Sequence, residues 1–222
     1  MNLALAALAL FLPACPQDPK PDSDALAALE EKLAKVKTLS VKVTVNATMG
    51  ETRKSVSVFL YVAEGNRLNC TMEAEKDKTI HTVSNGGTMR VNRGGDDHDF
   101  KTPDTFCRNA VAALVRAGGI GLDPVVGGNA GDRQPFTAKD VREGERTKLA
   151  EREVRVVAYV LVSKTDKNDA NVTLWLDAKS GLPVKREIAP NDGSKLRITE
   201  TYDEFVLDAK LDDKLFKVLP PK

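Results

Sequence analysis

The sequence predicts a mainly β fold with helices, and three observations carry that prediction. A period of two runs through most of the chain, first where Leu39, Val41, Val43, Val45, Ala47 and Met49 alternate with Ser40, Lys42, Thr44, Asn46 and Thr48; this is a long strand with one face buried and one wet. Short turn signals such as Asn85-Gly86-Gly87 and Asn191-Asp192-Gly193 join neighbouring runs, as antiparallel hairpins require. Only two stretches show a clear helical period, and nothing repeats the strand–helix–strand rhythm of a parallel sheet.

Taken in order, residues 24–37 read as an amphipathic helix, with Leu26, Leu29, Leu33 and Val36 on one stripe and Ser23 as its cap. The long strand follows, and Gly50 begins a turn. A second strand carries Val56, Val58, Leu60 and Val62 on one face. Its opposite face changes from Ser55 and Ser57 to Phe59 and Tyr61, which predicts a cover over that end. Leu68, Cys70, Met72 and Ala74 continue the alternation. After a polar turn at residues 76–78, residues 79–84 and 88–92 flank the Asn85-Gly86-Gly87 hairpin. Residues 93–101 read as a polar loop. Thr102 then caps a second helix with Pro103 in its first turn; Phe106, Cys107, Ala110, Ala113, Leu114 and Ala117 form its apolar face and Gly118-Gly119 ends it. Residues 120–126 read as a docked loop, and residues 127–134 as flexible by composition.

The remainder is again β. Val154, Val156, Ala158, Val160 and Val162 alternate along one strand, and Val172, Leu174 and Leu176 along the next. Val184, Arg186 and Ile188 share a strand, and Leu196 and Ile198 lead into one that runs to about residue 207. In all, nine to eleven strands and two helices are expected in a single domain over residues 24–222.

The first fifteen residues contain no charge, and residues 3–12 are almost wholly apolar. That run is too short to cross a bilayer, which takes about 20 residues, and has the form of the apolar core of a secretory signal. It ends in Leu12-Pro13-Ala14-Cys15, which resembles the lipobox of bacterial lipoproteins. The resemblance implies that Cys15 is acylated and becomes the mature N-terminus. An ordinary cleaved signal or a short buried helix are the other readings. Residues 16–23, with Pro16, Pro19 and Pro21 among polar residues, form an extended tether. Cys70 and Cys107 then remain, and an oxidising compartment permits either a disulfide or two buried thiols.

Composition and motifs narrow the function. Of the 222 residues 41% are hydrophobic and 29% charged, with a net charge of +1 and no basic block, so no nucleic-acid footprint is present. No nucleophile elbow, zinc-protease helix or phosphate loop occurs. Asp96-Asp97-His98-Asp99 lacks the spacing of a calcium loop and reads as solvated. No catalytic residue, metal or cofactor is predicted.

Thr173-Leu174-Trp175-Leu176-Asp177, Ser180-Gly181-Leu182-Pro183 and Leu211-Asp212-Asp213-Lys214-Leu215-Phe216, set in this order of elements, resemble the lipoprotein-localisation factor family of LolA-like carriers and LolB-like anchored receptors. The likeness covers about residues 24–221. It implies an unclosed antiparallel β-barrel, a curved sheet whose helices cover the concave face. It also implies a non-enzymatic carrier or receptor for acyl chains of lipoproteins or lipids, exported to the bacterial periplasm, held to a membrane by its lipid anchor and monomeric. Receptor-type members carry a protruding apolar loop, and none is identified in this sequence. The candidate cavity lining is Val41, Val43, Val45, Val56, Val58, Leu60, Leu68, Met72 and Met89; the same residues would equally form a closed core. An envelope protein-interaction or stress-sensing domain on this fold is the alternative. A hydrolase with a polar constellation around His81 is the second.

Overall fold

The structure is a computed structural model that describes residues 25–74, 79–127, 135–164 and 169–218. The expected signal, Cys15, the expected tether, Ser23 and residues 128–134 lie outside the described residues. The first helix, α1 (Ala25–Ala34), buries Leu26, Leu29 and Leu33 as its spacing predicts but stops short of Val36.

Eleven strands follow in one antiparallel sheet. The first meander comprises β1 (Thr38–Met49), β2 (Thr52–Ala63), β3 (Arg67–Ala74), β4 (Thr79–Asn85), β5 (Thr88–Arg93) and β6 (Asp96–Lys101). The second comprises β7 (Phe136–Leu149), β8 (Arg152–Ser163), β9 (Asp169–Asp177), β10 (Pro183–Pro190) and β11 (Leu196–Leu207). The spatial order is β6-β5-β4-β3-β2-β1-β11-β10-β9-β8-β7. The two meanders therefore join at the centre, through β1 and β11, and the sheet keeps two free edges instead of closing. This is the unclosed barrel with helices that the sequence reading anticipates.

That order dictates where the helices lie. β6 and β7 are consecutive in sequence yet occupy opposite edges, so the chain between them must cross the whole sheet. It does so over the concave face, as α2 (Phe106–Ala117), a 3-10 segment (Ile120–Leu122) and the short α3 (Asp123–Val126). Phe106, Ala110, Ala113, Leu114 and Ala117 of α2 are buried in the same core as Val43, Leu60, Leu174 and Val157 of the sheet. Register keeps the concave rows continuous: Met72, Val58, Val43 and Tyr202 are successive cross-strand partners over β3, β2, β1 and β11.

Several expectations are corrected. Residues 96–101 form β6, not a loop, and β7 is a 14-residue strand where none was expected. Both are edge strands exposed along most of their length, so neither shows the alternation that reveals a half-buried strand. Side chains hold β6 instead: Asn92 Nδ2 donates to Asp97 at 2.6 Å and Arg90 grips both oxygens of Asp99. Residues 120–126 are helical. Thr102 does not cap α2: its hydroxyl is buried 2.9 Å from that of Ser84, and the helix begins at Phe106. The outer cover lies one strand away from where it was expected. The C-terminal 3-10 turn Asp213–Phe216 straps β3 and β4, with Phe216 buried and Asn69 Nδ2 donating to the Leu215 carbonyl at 2.7 Å. Phe59 and Tyr61 stay half-exposed beside it.

Candidate ligand-binding site

Near its middle the concave face carries two buried charges. Arg186 of β10 and Glu200 of β11 are cross-strand partners, and Glu200 is in turn opposite Val45 of β1. Both charged side chains have no exposed surface, and Arg186 Nη1 lies 3.3 Å from Glu200 Oε2. A buried ion pair offsets its desolvation best when its remaining hydrogen-bond capacity is used; here most partners are on the crossing segment, and Arg186 Nε is left without one. Arg186 donates to two carbonyls at the end of α2: that of Leu114 at 3.0 Å, which also accepts from the Gly118 N–H, and that of Val115, which has no backbone donor there. Glu200 Oε1 accepts from the Ile120 N–H at 3.3 Å, and Oε2 from the Tyr202 hydroxyl at 2.9 Å. Tyr159 donates to the Arg116 carbonyl. Burial pushes the Glu200 carboxyl upward in pKa, opposed by the Arg186 charge, and pushes the Tyr159 phenol to about 12. The cation thus serves the C-terminal carbonyls of α2 and the anion the first N–H groups of the next segment.

Gly118 makes this contact possible. Its backbone has φ +76° and ψ −160°, a region that only glycine occupies readily. A Cβ there would stand 2.0 Å from Glu200 Oε2 and 2.2 Å from Arg186 Nη1. The pair is a fastening for the helical cover, and its residues line neither of the two larger clefts described next.

Those clefts flank the cover. One, of about 650 Å³, lies between α1, α2 and the turn joining β2 to β3, with Leu33, Val62, Cys107 and Val111 in its wall. The other, of about 540 Å³, opens where β1 to β5 meet the 3-10 segment and α3. Its walls are Val45, Val56, Val58 and Met72 from the sheet, with Ile80 and Ile120. Both volumes fall in the range of small-ligand sites, about 300–1,000 Å³. Among the described residues, only Arg93 and Asp123 bring charge to the second cleft, joined by an ion pair of 2.8 Å at its rim.

The predicted lining residues therefore divide. Val45, Val56, Val58 and Met72 wall the second cleft. Val41, Val43, Leu60, Leu68 and Met89 lie on the same concave face but are buried beneath the helices as core. Alternation assigns a face and does not tell how closely the cover presses on it. Ile120, Arg93 and Asp123 were not anticipated, because their segments read as loop. The Arg186–Glu200 pair did leave a trace, since each interrupts an apolar alternation on one of two neighbouring strands.

Cys70 and Cys107 are buried free thiols. Cys107 Sγ donates to the Arg67 carbonyl at 3.2 Å, and Cys70 is paired across the sheet with Leu60 and Thr82. His81 sits on β4 between Ile80 and Thr82 and faces the opposite, convex side, across from Asn92 and Thr71. It is half-buried there, so the constellation that a hydrolase reading would place around it is not in the concave cleft. Among the described residues no group of acidic, histidine and cysteine side chains could hold a metal ion, and no helix is long and apolar enough to cross a membrane.

No family model and no curated protein matches the chain. Solved structures do. The complex of MucA and MucB from Pseudomonas aeruginosa contains a chain 17% identical over 86% of this one and 59% of that one, with a TM-score of 0.45. The present chain thus spans about three fifths of the length of the MucB structure it matches. LprF from Mycobacterium bovis is 14% identical over 85% of this chain and 93% of that one, with a TM-score of 0.45. A LolA superfamily protein from Nitrosomonas europaea is 13% identical over 87% of this chain and 96% of that one, with a TM-score of 0.39.

Proposed function

We propose that the protein is a non-enzymatic carrier or membrane-anchored receptor that holds an acyl chain of a lipoprotein or lipid in the cleft beneath Ile120. The observation that carries this reading is the cleft itself: about 540 Å³ walled by Val45, Val56, Val58 and Met72. Each methylene moved from water into such walls gains about 0.8 kcal/mol, so eight give about 6 kcal/mol before ordering costs. Met72 suits cargo of varying shape, because its unbranched side chain adapts. In this reading residues 1–15 direct export, acylated Cys15 anchors a monomer to a membrane facing the bacterial periplasm, and residues 16–23 hold the domain of residues 24–222 off the bilayer.

Two measurements test it. Lipid extracted from the purified full-length chain and identified by mass spectrometry should include an acyl-chain lipid near one per protein, and Val58→Asp should lose it if the variant still folds. A folded protein that carries no lipid and takes up no fluorescent fatty acid refutes cargo binding. Metabolic labelling with a tagged fatty acid tests the anchor separately, since Cys15→Ala should abolish the label.

A further inference from the structure

We propose that Arg93 is the headgroup contact of the second cleft, so that the site takes a single-chain amphiphile with an anionic head, a carboxylate or a phosphate. This rests on the acyl-chain reading above and names the ligand class within it.

Four observations converge on Arg93. Among the described residues it is the one cation that lines the cleft, whose described walls are otherwise apolar or neutral apart from Asp123. It ends β5 at the rim and reaches across to α3, where Nη2 meets one oxygen of Asp123 at 2.8 Å. Its place is built: a Cβ at Gly127 would stand 2.1 Å from Arg93 Nη2, so the missing side chain at 127 is what admits the guanidinium. Finally, the pair is only half-buried, with side-chain exposures of 41% and 45%. An ion pair so open to water contributes little net stability, so an incoming anion can take Arg93 from Asp123 without a large penalty.

The chemistry favours an anion over a cation. A guanidinium presents a planar fork that matches carboxylate and phosphate oxygens in pairs, and the contact to Asp123 uses one oxygen only. When the alkyl chain lies along Val58 and Met72, its head emerges at the rim beside Arg93, and Asp123 turns to solvent. A cationic head would have to approach Asp123 past the same guanidinium, against repulsion.

The test uses the full-length protein loaded with N-phenyl-1-naphthylamine, a neutral apolar dye whose fluorescence falls on displacement. Dodecanoate, dodecanol and dodecylamine compete below their micelle-forming concentrations. Dodecanoate should displace the dye at a concentration lower by about tenfold or more than dodecanol, as a charge-assisted hydrogen bond implies. Arg93→Met should remove that preference by weakening dodecanoate about tenfold more than dodecanol, Arg93→Lys should keep part of it, and Asp123→Asn should strengthen dodecanoate by removing its competitor. Equal displacement by all three in the native protein, or a preference that survives Arg93→Met with an unchanged melting curve, overturns the proposal. Strongest displacement by dodecylamine overturns it in favour of Asp123. If neither the dye nor any of the three binds, the acyl-chain reading itself fails.

Discussion

Arg186 and Glu200 face each other on neighbouring strands, 3.3 Å apart and shielded from water, and each grips a different side of the elbow between α2 and the 3-10 segment. Removing one member should be severe. Arg186→Met leaves the Glu200 carboxyl buried without its counter-charge and strips the Val115 carbonyl of its donor; Glu200→Leu leaves Arg186 without its counter-charge. Each should lower the unfolding free energy by about 3–5 kcal/mol, read from the midpoint of urea denaturation at constant slope. In many proteins, replacing both members of a buried pair by apolar residues restores stability. Here the double variant should recover only part, because the buried Val115 carbonyl still lacks a donor, at about 1–3 kcal/mol, while that of Leu114 keeps the Gly118 N–H. Full recovery would show that the pair does not fasten the helix.

Gly118→Ala attacks the same joint from the backbone. The added methyl falls 2.0 Å from Glu200 Oε2, at a φ of +76° that alanine resists. Fully buried on both sides, the ion pair cannot move aside cheaply. A loss of about 3 kcal/mol or more is expected from steric displacement and backbone strain together. Combined with Glu200→Leu it should be less than additive, since contacting residues couple. Strict additivity would place the strain elsewhere.

How far the sequence speaks depends on burial. β1 to β5 and β9 to β11 are legible because one face of each is buried and alternation records it; in β8 the row Val156, Ala158, Val160 and Val162 misleads, since the buried face is Val157, Tyr159 and Leu161 and Ala158 is exposed. β6 and β7 are illegible for the opposite reason: as exposed edges they carry His98 opposite Val91 and Glu143 opposite Val157, where an inner strand would carry valine. Charge on an edge also discourages pairing with other chains. The cleft is half legible. Val45, Val56, Val58 and Met72 follow from the pattern, whereas Ile120 and Asp123 depend on how the crossing segment coils, and no periodicity encodes that over seven residues. Arg186 and Glu200 break their strands' apolar rows, a readable sign that two buried charges meet across a hairpin.

The thiols provide an independent check on the core. Burial pushes both Cys70 and Cys107 up to about 12, with the Asp123 charge adding to the effect at Cys70. Thiolate is the reactive form, so at pH 8 the folded protein should react with iodoacetamide far more slowly than the unfolded one. After unfolding without reductant, mass spectrometry should find both cysteines alkylated. Protection of the pair from alkylation until reductant is added would reveal a disulfide and overturn the free-thiol arrangement.

His81 should make stability depend on pH in a defined window. Burial on the convex face lowers its pKa below the ordinary 6.5, partly opposed by the Asp97 charge. Between that lowered value and 6.5 the unfolded chain binds a proton that the folded protein does not. Stability then rises with pH, because the slope follows the excess of protons bound by the unfolded state. The contribution is fully present above 6.5 and declines as pH falls through the window. His81→Gln, which keeps a polar side chain of similar reach but cannot titrate, should flatten the melting temperature between pH 7 and the lower end of that window relative to the native protein. The surrounding carboxylates, Asp97 among them, are common to both proteins and cancel in the difference. A native curve that stays parallel to that of His81→Gln throughout the window would mean that the imidazole charges equally well folded and unfolded.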